Sequence, residues 1–358
     1  MSVDSLRAPF PYFGGKRRVA PAVWARFGAV PNYVEPFCGS AAMLLARPDN
    51  HEWWRMTETI NDADGYVSNF WRAVQANPDA VAQHADWPVS ENDLHARHGW
   101  LVSRSAEIVA RLEGDPYWFD AQVAGWWVWG LCAWIGSGWC SGAGPWRQVD
   151  GQLVNLGDDG QGINRQLPHL GDGGKGINRK LPHLGDGGKG INRKLPHLGD
   201  DGKGTAAVWS AHVATTMVQL SDRLRRVRVC SGDWSRVLSA SVTTRLGTTA
   251  VFLDPPYTQD GTHFEGAYRH EGGVAPAVRA WAIEHGDDPL FRIALCGFEG
   301  EHDMPDGWRL HRWTARGGYG TNENRHREVI WFSPHCLKVP TVTQESFDVT
   351  SLEPSYVR

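Results

Sequence analysis

The segment Asp254-Pro255-Pro256-Tyr257 carries residue types that can polarise an amino group on a flat ring. It follows the apolar run 249–253, which predicts a buried β-strand, and open α/β sheets bind ligands at the carboxyl ends of such strands. The two prolines have no N–H, so the carbonyls beside them stay free to accept. The Asp254 carboxylate and the Pro255 carbonyl would accept the two hydrogens of an amine, and the Tyr257 ring offers a stacking face.

An exocyclic amine on an aromatic base is a poor nucleophile because its lone pair is delocalised into the ring. Two acceptors that bind its hydrogens localise the lone pair on nitrogen for in-line attack on a methyl sulfonium, by alignment and electrostatics alone. That step needs neither a covalent intermediate nor a metal. Asp-Pro-Pro is also a common turn, so this chemistry depends on support from other segments.

Two further segments suit a nucleotide-like ligand. Residues 34–40, Val-Glu-Pro-Phe-Cys-Gly-Ser, predict a strand, a glycine turn and a helix start, where a ligand can approach the backbone and free N–H groups. The absence of G-x-G-x-x-G spacing argues against a dinucleotide site. Asp62 stands where a second strand would end, and a carboxylate there can hold two ribose hydroxyls, although an isolated aspartate is more often a helix cap.

The elements that position these residues alternate between strand-like and helical patterns. Residues 1–72 are typical of mixed α/β structure, and residues 70–121 have helical periodicity. Six tryptophans between Trp126 and Trp146 suggest a large aromatic surface. A basic helix is predicted after Ser210, ending in the run 223–228. Strands are predicted at 249–253, 291–296 and 328–332. We therefore expect one α/β domain with an insertion, followed by a loose tail.

Composition excludes several classes of protein. The chain has 358 residues, is 41% hydrophobic, carries a formal net charge of -4 and contains no apolar run long enough for a membrane helix. Its first residues lack a secretory pattern, so we expect a cytoplasmic protein that does not enter a membrane. The six cysteines form no C-x-x-C pair, which predicts neither disulfides nor a zinc site. Any nucleic-acid binding must rest on local basic clusters.

Residues 157–204 repeat with a period of 14, in three full copies and a fragment. Each copy is too short and too glycine-rich to build a core of its own. One interpretation is an expanded surface loop whose copy number matters little. The other is that its basic side chains and glycine amides contact phosphates, since the segment holds eight Lys or Arg against six Asp.

The order of four segments, 12–16, 34–40, 61–64 and 254–257, resembles the Dam-like class of DNA adenine methyltransferases. The resemblance implies a Rossmann-like α/β sheet that binds S-adenosylmethionine (SAM), interrupted by a mainly helical target-recognition insertion that here carries the 14-residue glycine-rich repeat. It divides the chain into residues 1–72 (SAM binding), 73–215 (target recognition), 216–340 (catalytic part of the same domain) and 341–358 (tail).

Carried over residue by residue, the resemblance implies a set of site residues. Those that would bind SAM are Tyr12, Lys16, Glu35, Phe37, Gly39, Ser40, Asp62, Asp233 and Asp254. Asp62 would bind the ribose, and Asp233 would lie near the adenine of SAM. The catalytic residues would be Asp254, Pro255, Pro256 and Tyr257. Residues 320–330 resemble the late loop and strand that contact the flipped base and the DNA backbone.

The implied reaction transfers a methyl group from SAM, without a metal, to the N6 atom of a flipped-out adenine in double-stranded DNA. Cytosine N4, an RNA base or a protein glutamine remain alternative acceptors. Enzymes that modify cytosine N4 generally begin the tetrapeptide with Ser, and protein-glutamine enzymes usually begin it with Asn. Cytosine C5 is excluded because that chemistry needs a Pro-Cys dipeptide, which the sequence lacks. We expect a monomer. A cognate restriction enzyme stays open. The target sequence stays open as well, because the tryptophan cluster and the repeats do not match the residues with which the family reads GATC.

Deletion of residues 171–198 tests the repeats, because it removes two full periods and keeps the flanking register. If Arg179, Arg193 and the neighbouring lysines contact phosphates, DNA affinity should fall and the slope of log affinity against log salt should flatten. The methylated sequence should not change. Equal affinity and slope would favour the surface-loop interpretation, and a changed sequence would refute both.

Overall fold

A seven-stranded mixed sheet forms the centre of the protein in the computed structural model, which describes residues 6–12, 15–48, 56–134, 139–140, 146–149, 152–155, 206–257, 274–313 and 327–339. In chain order the strands are β1 (Asn32–Glu35), β2 (Thr57–Asp62), β3 (Trp146–Val149), β4 (Gln152–Asn155), β5 (Val227–Ser231), β6 (Thr249–Leu253), β7 (Phe291–Phe298), β8 (Arg309–Arg312) and β9 (Glu328–Phe332). Strands β3 and β4 form a separate antiparallel pair.

The strand order in the large sheet is β5-β2-β1-β6-β7-β9-β8. The first five strands in this order are parallel, whereas β9 runs antiparallel to both β7 and β8. The carboxyl ends of β5, β2, β1 and β6 therefore meet at one edge. Residues that follow these strands are brought together there, although they come from distant parts of the sequence.

Helices cover both faces of this sheet. They are α1 (Ala20–Phe27), α2 (Ala42–Leu45), α3 (Gly65–Ala76), α4 (Pro78–Ala85), α5 (Glu91–Gly114), α6 (Ala121–Ala133), α7 (Ala206–Leu224) and α8 (Val274–His285). Strand residues alternate between two buried clusters, because successive side chains point to opposite faces. Phe252 packs in the cluster that contains α1 and α3, while Val251 packs with Val278 of α8. The predicted α/β class is confirmed.

The helices of the middle region continue the core of the sheet. Helix α6 packs against α3, α4 and α5. Trp127 of α6 joins Phe10 and Phe70 in one buried cluster, with the Phe10 and Trp127 ring centroids 5.0 Å apart. The predicted domain division stays a prediction, and α3 and α7 each continue across one of its positions, 72/73 and 215/216.

The expected aromatic surface is wrong for three tryptophans of the cluster, while Trp126 and Trp134 are half-buried. Trp127, Trp129 and Trp139 are 3%, 1% and 8% exposed. The reason is the sequence of α6, which is apolar around its whole circumference and is therefore enclosed by other helices. Gly130 of this helix lies against the Trp139 ring, where an added Cβ would overlap the ring atoms.

Helix α7 ends at Leu224, so the predicted extension of this helix to Arg228 is wrong. Val227 begins strand β5, whose buried ends pair with β2. Arg223, in the last turn of α7, donates to both oxygens of Glu58 on β2 at 2.7 and 2.8 Å, and Arg47 donates to the same carboxylate at 3.1 Å. This buried cluster fixes α7 to the sheet.

Several expectations lie outside the described residues, among them the repeats at 157–204, the loop at 320–326 and the tail at 341–358. No helix in the described part of the chain combines the length and apolar character needed to cross a membrane.

Candidate functional site

Four carboxylates meet where the parallel strands end. Glu35 is the last residue of β1 and Asp62 the last residue of β2, while Asp254 directly follows β6 and Asp233 lies two residues beyond β5. All four line one cavity of about 410 Å³. The strand end predicted at Asp62 from sequence is confirmed.

The cavity brings together most of the residues predicted to form a site. Tyr12, Lys16, Phe37, Gly39, Ser40 and Pro256 line it together with the four carboxylates. Pro255, which is buried, and Tyr257, which is half-buried and bonded to Asp254, are not among the described residues of the lining. Phe13 and Gly14 lie outside the described residues. Of the described residues in the lining, six carry carboxyl groups and one, Lys16, carries an ammonium group, so the lining is predominantly acidic.

The turn after β1 depends on Gly39. Its φ is +45°, and a Cβ there would lie 2.3 Å from the Tyr12 ring, so both the backbone conformation and the close approach favour glycine. The Gly39 amide donates to Asp62 Oδ2 at 2.9 Å, and its carbonyl accepts from Trp71 Nε1 at 2.9 Å. Tyr12, the turn and the end of β2 are thereby fixed to one another.

Asn61 connects the loops on either side of β2. Its Nδ2 donates to the Pro36 carbonyl at 3.1 Å and to the Gly232 carbonyl at 2.9 Å. These bonds bring Phe37 beside Trp234, with ring centroids 6.2 Å apart and an interplanar angle of 27°. Asp233 accepts from the amide and the hydroxyl of Ser235, so its carboxylate fixes the turn in which it lies.

Tyr257 and Lys16 both hold the Asp254 carboxylate. Its Oδ1 accepts from the Tyr257 hydroxyl at 2.8 Å, and its Oδ2 lies 3.0 Å from Lys16 Nζ. The Tyr257 ring meets the Phe298 ring edge-on at 4.7 Å. Burial, and then the charge of Asp254, hold the pKa of the Tyr257 hydroxyl well above its usual range, so this hydroxyl stays a donor.

Glu35 is a buried carboxyl that prefers its proton. Burial raises its pKa from 4.5 to about 8, an effect reduced by the Tyr33 hydroxyl and the Leu44 amide, which donate to Oε2 at 2.9 and 3.2 Å. The charges of Asp254 and Asp62 raise the pKa further. At neutral pH this carboxyl is mainly protonated until a cation lies beside it.

Asp62 is perturbed in the same direction. Burial, followed by the charge of Asp64, raises its pKa to about 7, against the lowering effect of the amides of Asp64, Gly39 and Ala63. Its two oxygens accept from the Asp64 and Gly39 amides at 2.9 Å each. The carboxylate is therefore rigidly oriented. Among the described residues, no group of three or more His, Cys, Asp or Glu side chains forms a possible metal site.

The sequence analysis missed three acidic residues at this site. Asp64 and Glu113 line the cavity, and Glu328 Oε2 lies 3.5 Å from Lys16 Nζ. Asp64 and Glu328 stand in segments that were singled out, 61–64 and 320–330, but neither was named as a site residue. For Glu328, an acidic residue at the start of a buried strand was the available signal. Glu113 is near the end of the long helix α5, and its sequence offered no signal.

Comparison with known proteins gives one family. Residues 12–105 match the family model of the D12 class N6 adenine-specific DNA methyltransferases. This match confirms the resemblance drawn from the motifs, and the sheet with helices on both faces fits a methyltransferase fold. No curated protein matches the chain.

Glu35→Gln should change how the stability of the ligand-free protein depends on pH. Between pH 4.5 and about 8 the folded state of the wild type keeps a proton on Glu35 that the unfolded state releases, so its free energy of unfolding falls as pH rises through this range. In the variant, the decrease in the free energy of unfolding over this pH range should be smaller than in the wild type, by on the order of a few kcal/mol. Urea denaturation at several pH values from 5 to 9 measures it.

The exposed lining residue Glu113 provides the control, since Glu113→Gln should leave the pH dependence of the wild type unchanged. Identical pH dependence in Glu35→Gln and the wild type would contradict the assignment of a retained proton to Glu35.

Proposed function

Because the chain is an adenine-specific DNA methyltransferase, we propose that it transfers the methyl group of SAM to the N6 atom of an adenine flipped out of double-stranded DNA. The observation that carries the proposal is the Asp254 carboxylate, which lines the acidic cavity and is bonded to Tyr257. The family implies SAM as the methyl donor.

The cavity suits SAM in length, charge and chemistry. From the end of β5 to the end of β6 there are three strand spacings, roughly 14 Å, which suits an extended ligand with a base at one end and a reactive group at the other. Six carboxyl groups face one ammonium group, and a cation beside Glu35 and Asp62 favours their ionised forms, so the lining favours a ligand with positive charge. Phe37 and Trp234, near Asp233, supply apolar ring surface for a purine.

Within this cavity, Asp62 would accept the ribose hydroxyls and Asp233 would lie near the adenine of the ligand. Glu35, with Phe37, Gly39 and Ser40, would surround its methionine part. When bound, SAM supplies a methyl group on a sulfonium centre. Its positive charge favours the ionised form of Glu35, and the proton on that carboxyl is then released to solvent.

Asp254 would orient the target amine. Each carboxylate oxygen has two lone pairs, so Oδ1 and Oδ2 can accept from the amine while they keep their bonds to the Tyr257 hydroxyl and Lys16. The Pro255 carbonyl is the second acceptor. Together they would hold the nitrogen lone pair in line with the methyl group. The C–N bond forms as the C–S bond of the sulfonium breaks, the neutral thioether leaves, and the methylated nitrogen then passes one proton to solvent.

Tyr257 would stack on the target base. Its hydroxyl is anchored to Asp254 and its edge contact with Phe298 limits rotation, so the ring is held in place before the base arrives. A fixed aromatic face recovers part of the cost of unstacking the base from the duplex. We further propose that residues 73–215 recognise the target sequence. A monomeric state and a cognate restriction enzyme stay predictions.

Methylation of cytosine N4, an RNA base or a protein glutamine is the alternative. The adenine-specific family match and the Asp at position 254 both favour adenine. Digestion of methylated DNA to nucleosides distinguishes the acceptors, because N6-methyladenine and N4-methylcytosine are different products. Sequencing that reads methylated adenines directly would give the target sequence.

Asp254→Ala should lower the rate of methyl transfer by a factor of ~10² or more, because one of two acceptors for the amine is lost. Radiolabelled methyl transfer to duplex DNA measures it, with SAM affinity and thermal unfolding measured on the same samples. Asp306→Ala, at an exposed position, serves as the control and should keep the wild-type rate. An Asp254→Ala protein that folds and transfers methyl groups at the normal rate would overturn the catalytic assignment.

Base flipping predicts a fluorescence change. 2-Aminopurine at the target position should brighten when the enzyme binds, because the base leaves the stack, at a cost of a few kcal/mol. In Tyr257→Ala the affinity for the duplex should decrease, since stacking contributes about 1–3 kcal/mol per base. A duplex with 2-aminopurine outside the target sequence is the control. No brightening at a position known to be methylated would contradict the prediction.

A further inference from the structure

Lys16 lies between two carboxylates. Its Nζ is 3.0 Å from Asp254 Oδ2 and 3.5 Å from Glu328 Oε2, and the Lys16 side chain is only 4% exposed. Lys16 and Asp254 line the cavity, whereas Glu328 is not among the described residues of the lining. From this geometry we propose that Glu328 is a positioning residue that acts through Lys16 on Asp254. The inference rests on the proposed function of Asp254.

Rigid elements place Glu328 at this point. It is the first residue of β9 and pairs with Phe298, the last residue of β7, and the next backbone bond runs from the Glu299 amide to the Arg327 carbonyl at 2.7 Å. Asp254 follows β6, two strands away in the sheet, or about 10 Å. The Lys16 side chain bridges that distance.

The backbone of Lys16 is fixed as well. Its carbonyl accepts from the Val19 and Ala20 amides at 3.1 Å each, at the start of α1. Val19 and Ala20 are buried in the core. The backbone of Lys16 is therefore held in place while its ammonium group contacts the two carboxylates.

Charge explains why both carboxylates are needed. If Asp254 were the sole carboxylate partner of Lys16, the buried ammonium would form a tighter ion pair with it. The Asp254 carboxylate would then be a weaker acceptor for the hydrogens of an amine. Glu328 attracts the same ammonium from the side of β9. Lys16 is then shared, which fixes Oδ2 of Asp254 and leaves the carboxylate negative enough to accept a further donor.

Lys16 partly offsets the effect of burial on the pKa of Glu328. Burial raises the pKa of Glu328, as does the charge of Asp254, while Lys16 lowers it. The other titratable groups near it are Tyr257 and Cys296, and burial holds the pKa of each well above its usual range, so both stay neutral. Lys16 is therefore the cation that compensates Glu328.

The test is a double-mutant cycle in single-turnover methyl transfer, with full-length protein and duplex DNA that carries the methylated sequence. Glu328→Gln should slow transfer about 10-fold or more, because small displacements of a reacting group cost that much. Binding of SAM and of DNA, measured separately, should stay within twofold of wild type. In a Lys16→Met background, Glu328→Gln should change the rate less than twofold, since its route of action is gone.

Glu299→Gln is the matched control. Glu299 lies next to Phe298 and pairs with Arg312, and its side chain is 44% exposed, so its loss should leave the rate unchanged. An unchanged rate in Glu328→Gln would overturn the inference. So would an equal loss in the wild-type and Lys16→Met backgrounds, because that result assigns Glu328 an effect independent of Lys16.

Two further variants cover the case in which Glu328→Gln does not fold and separate this inference from the proposed function. If Glu328→Gln does not fold, Glu328→Asp takes its place in the cycle, with the same dependence on Lys16 expected and the same results overturning the inference. Asp254→Ala separates the two proposals. If it keeps the wild-type rate, the proposed function fails. If it is inactive while Glu328→Gln is normal, the role of Glu328 alone fails.

Discussion

Carboxylates crowd the edge of the sheet where Glu35, Asp62 and Asp254 end or follow three adjacent strands, and among the described lining residues Lys16 alone opposes them. Burial first, and neighbouring negative charges second, raise the pKa of Glu35 and of Asp62, so the ligand-free protein keeps a proton on Glu35 and, in part, on Asp62. The packing of the surrounding elements must offset the free-energy cost of placing these acidic groups together. A cationic ligand would reduce the repulsion between these groups. The acidic lining would therefore favour cationic ligands over neutral or anionic ones.

Short-range bonds between loops, more than the strands themselves, convert this edge into a shaped cavity. Asn61 connects the loops after β1 and β5, and Gly39 lets the Tyr12 ring approach the backbone and reach the end of β2. The Tyr257 hydroxyl and Lys16 then fix Asp254. Asp62 is held by Gly39 and Asp254 by Lys16, each a partner from a different segment, so the orientation of these two carboxyl groups is set before any ligand binds.

The sequence predicted the parts of the site that depend on local order. The apolar run before Asp254 predicted β6, and the position of Asp62 predicted a strand end; both are confirmed. What it missed comes from long-range packing. Strand β5 has an irregular alternation interrupted by Arg228, and Glu113 and Glu328 reach the site from a helix and a strand far along the chain. The tryptophans of α6 were misjudged because their enclosure depends on the neighbouring helices.

Strand β1 pairs with β6, although the two strands are far apart in sequence. Asn32 of β1, whose Nδ2 donates to Thr249 Oγ1 of β6, is separated from Thr249 by 217 positions. A ribosome that adds roughly 5–20 residues per second would need about 10–40 seconds to cover that interval. Throughout it the nascent β1 has an unpaired edge, which neighbouring chains can join. The chain therefore forms its cavity late in synthesis. A truncated product that ends within the repeats lacks Asp233 and Asp254 and cannot form the ligand-binding cavity.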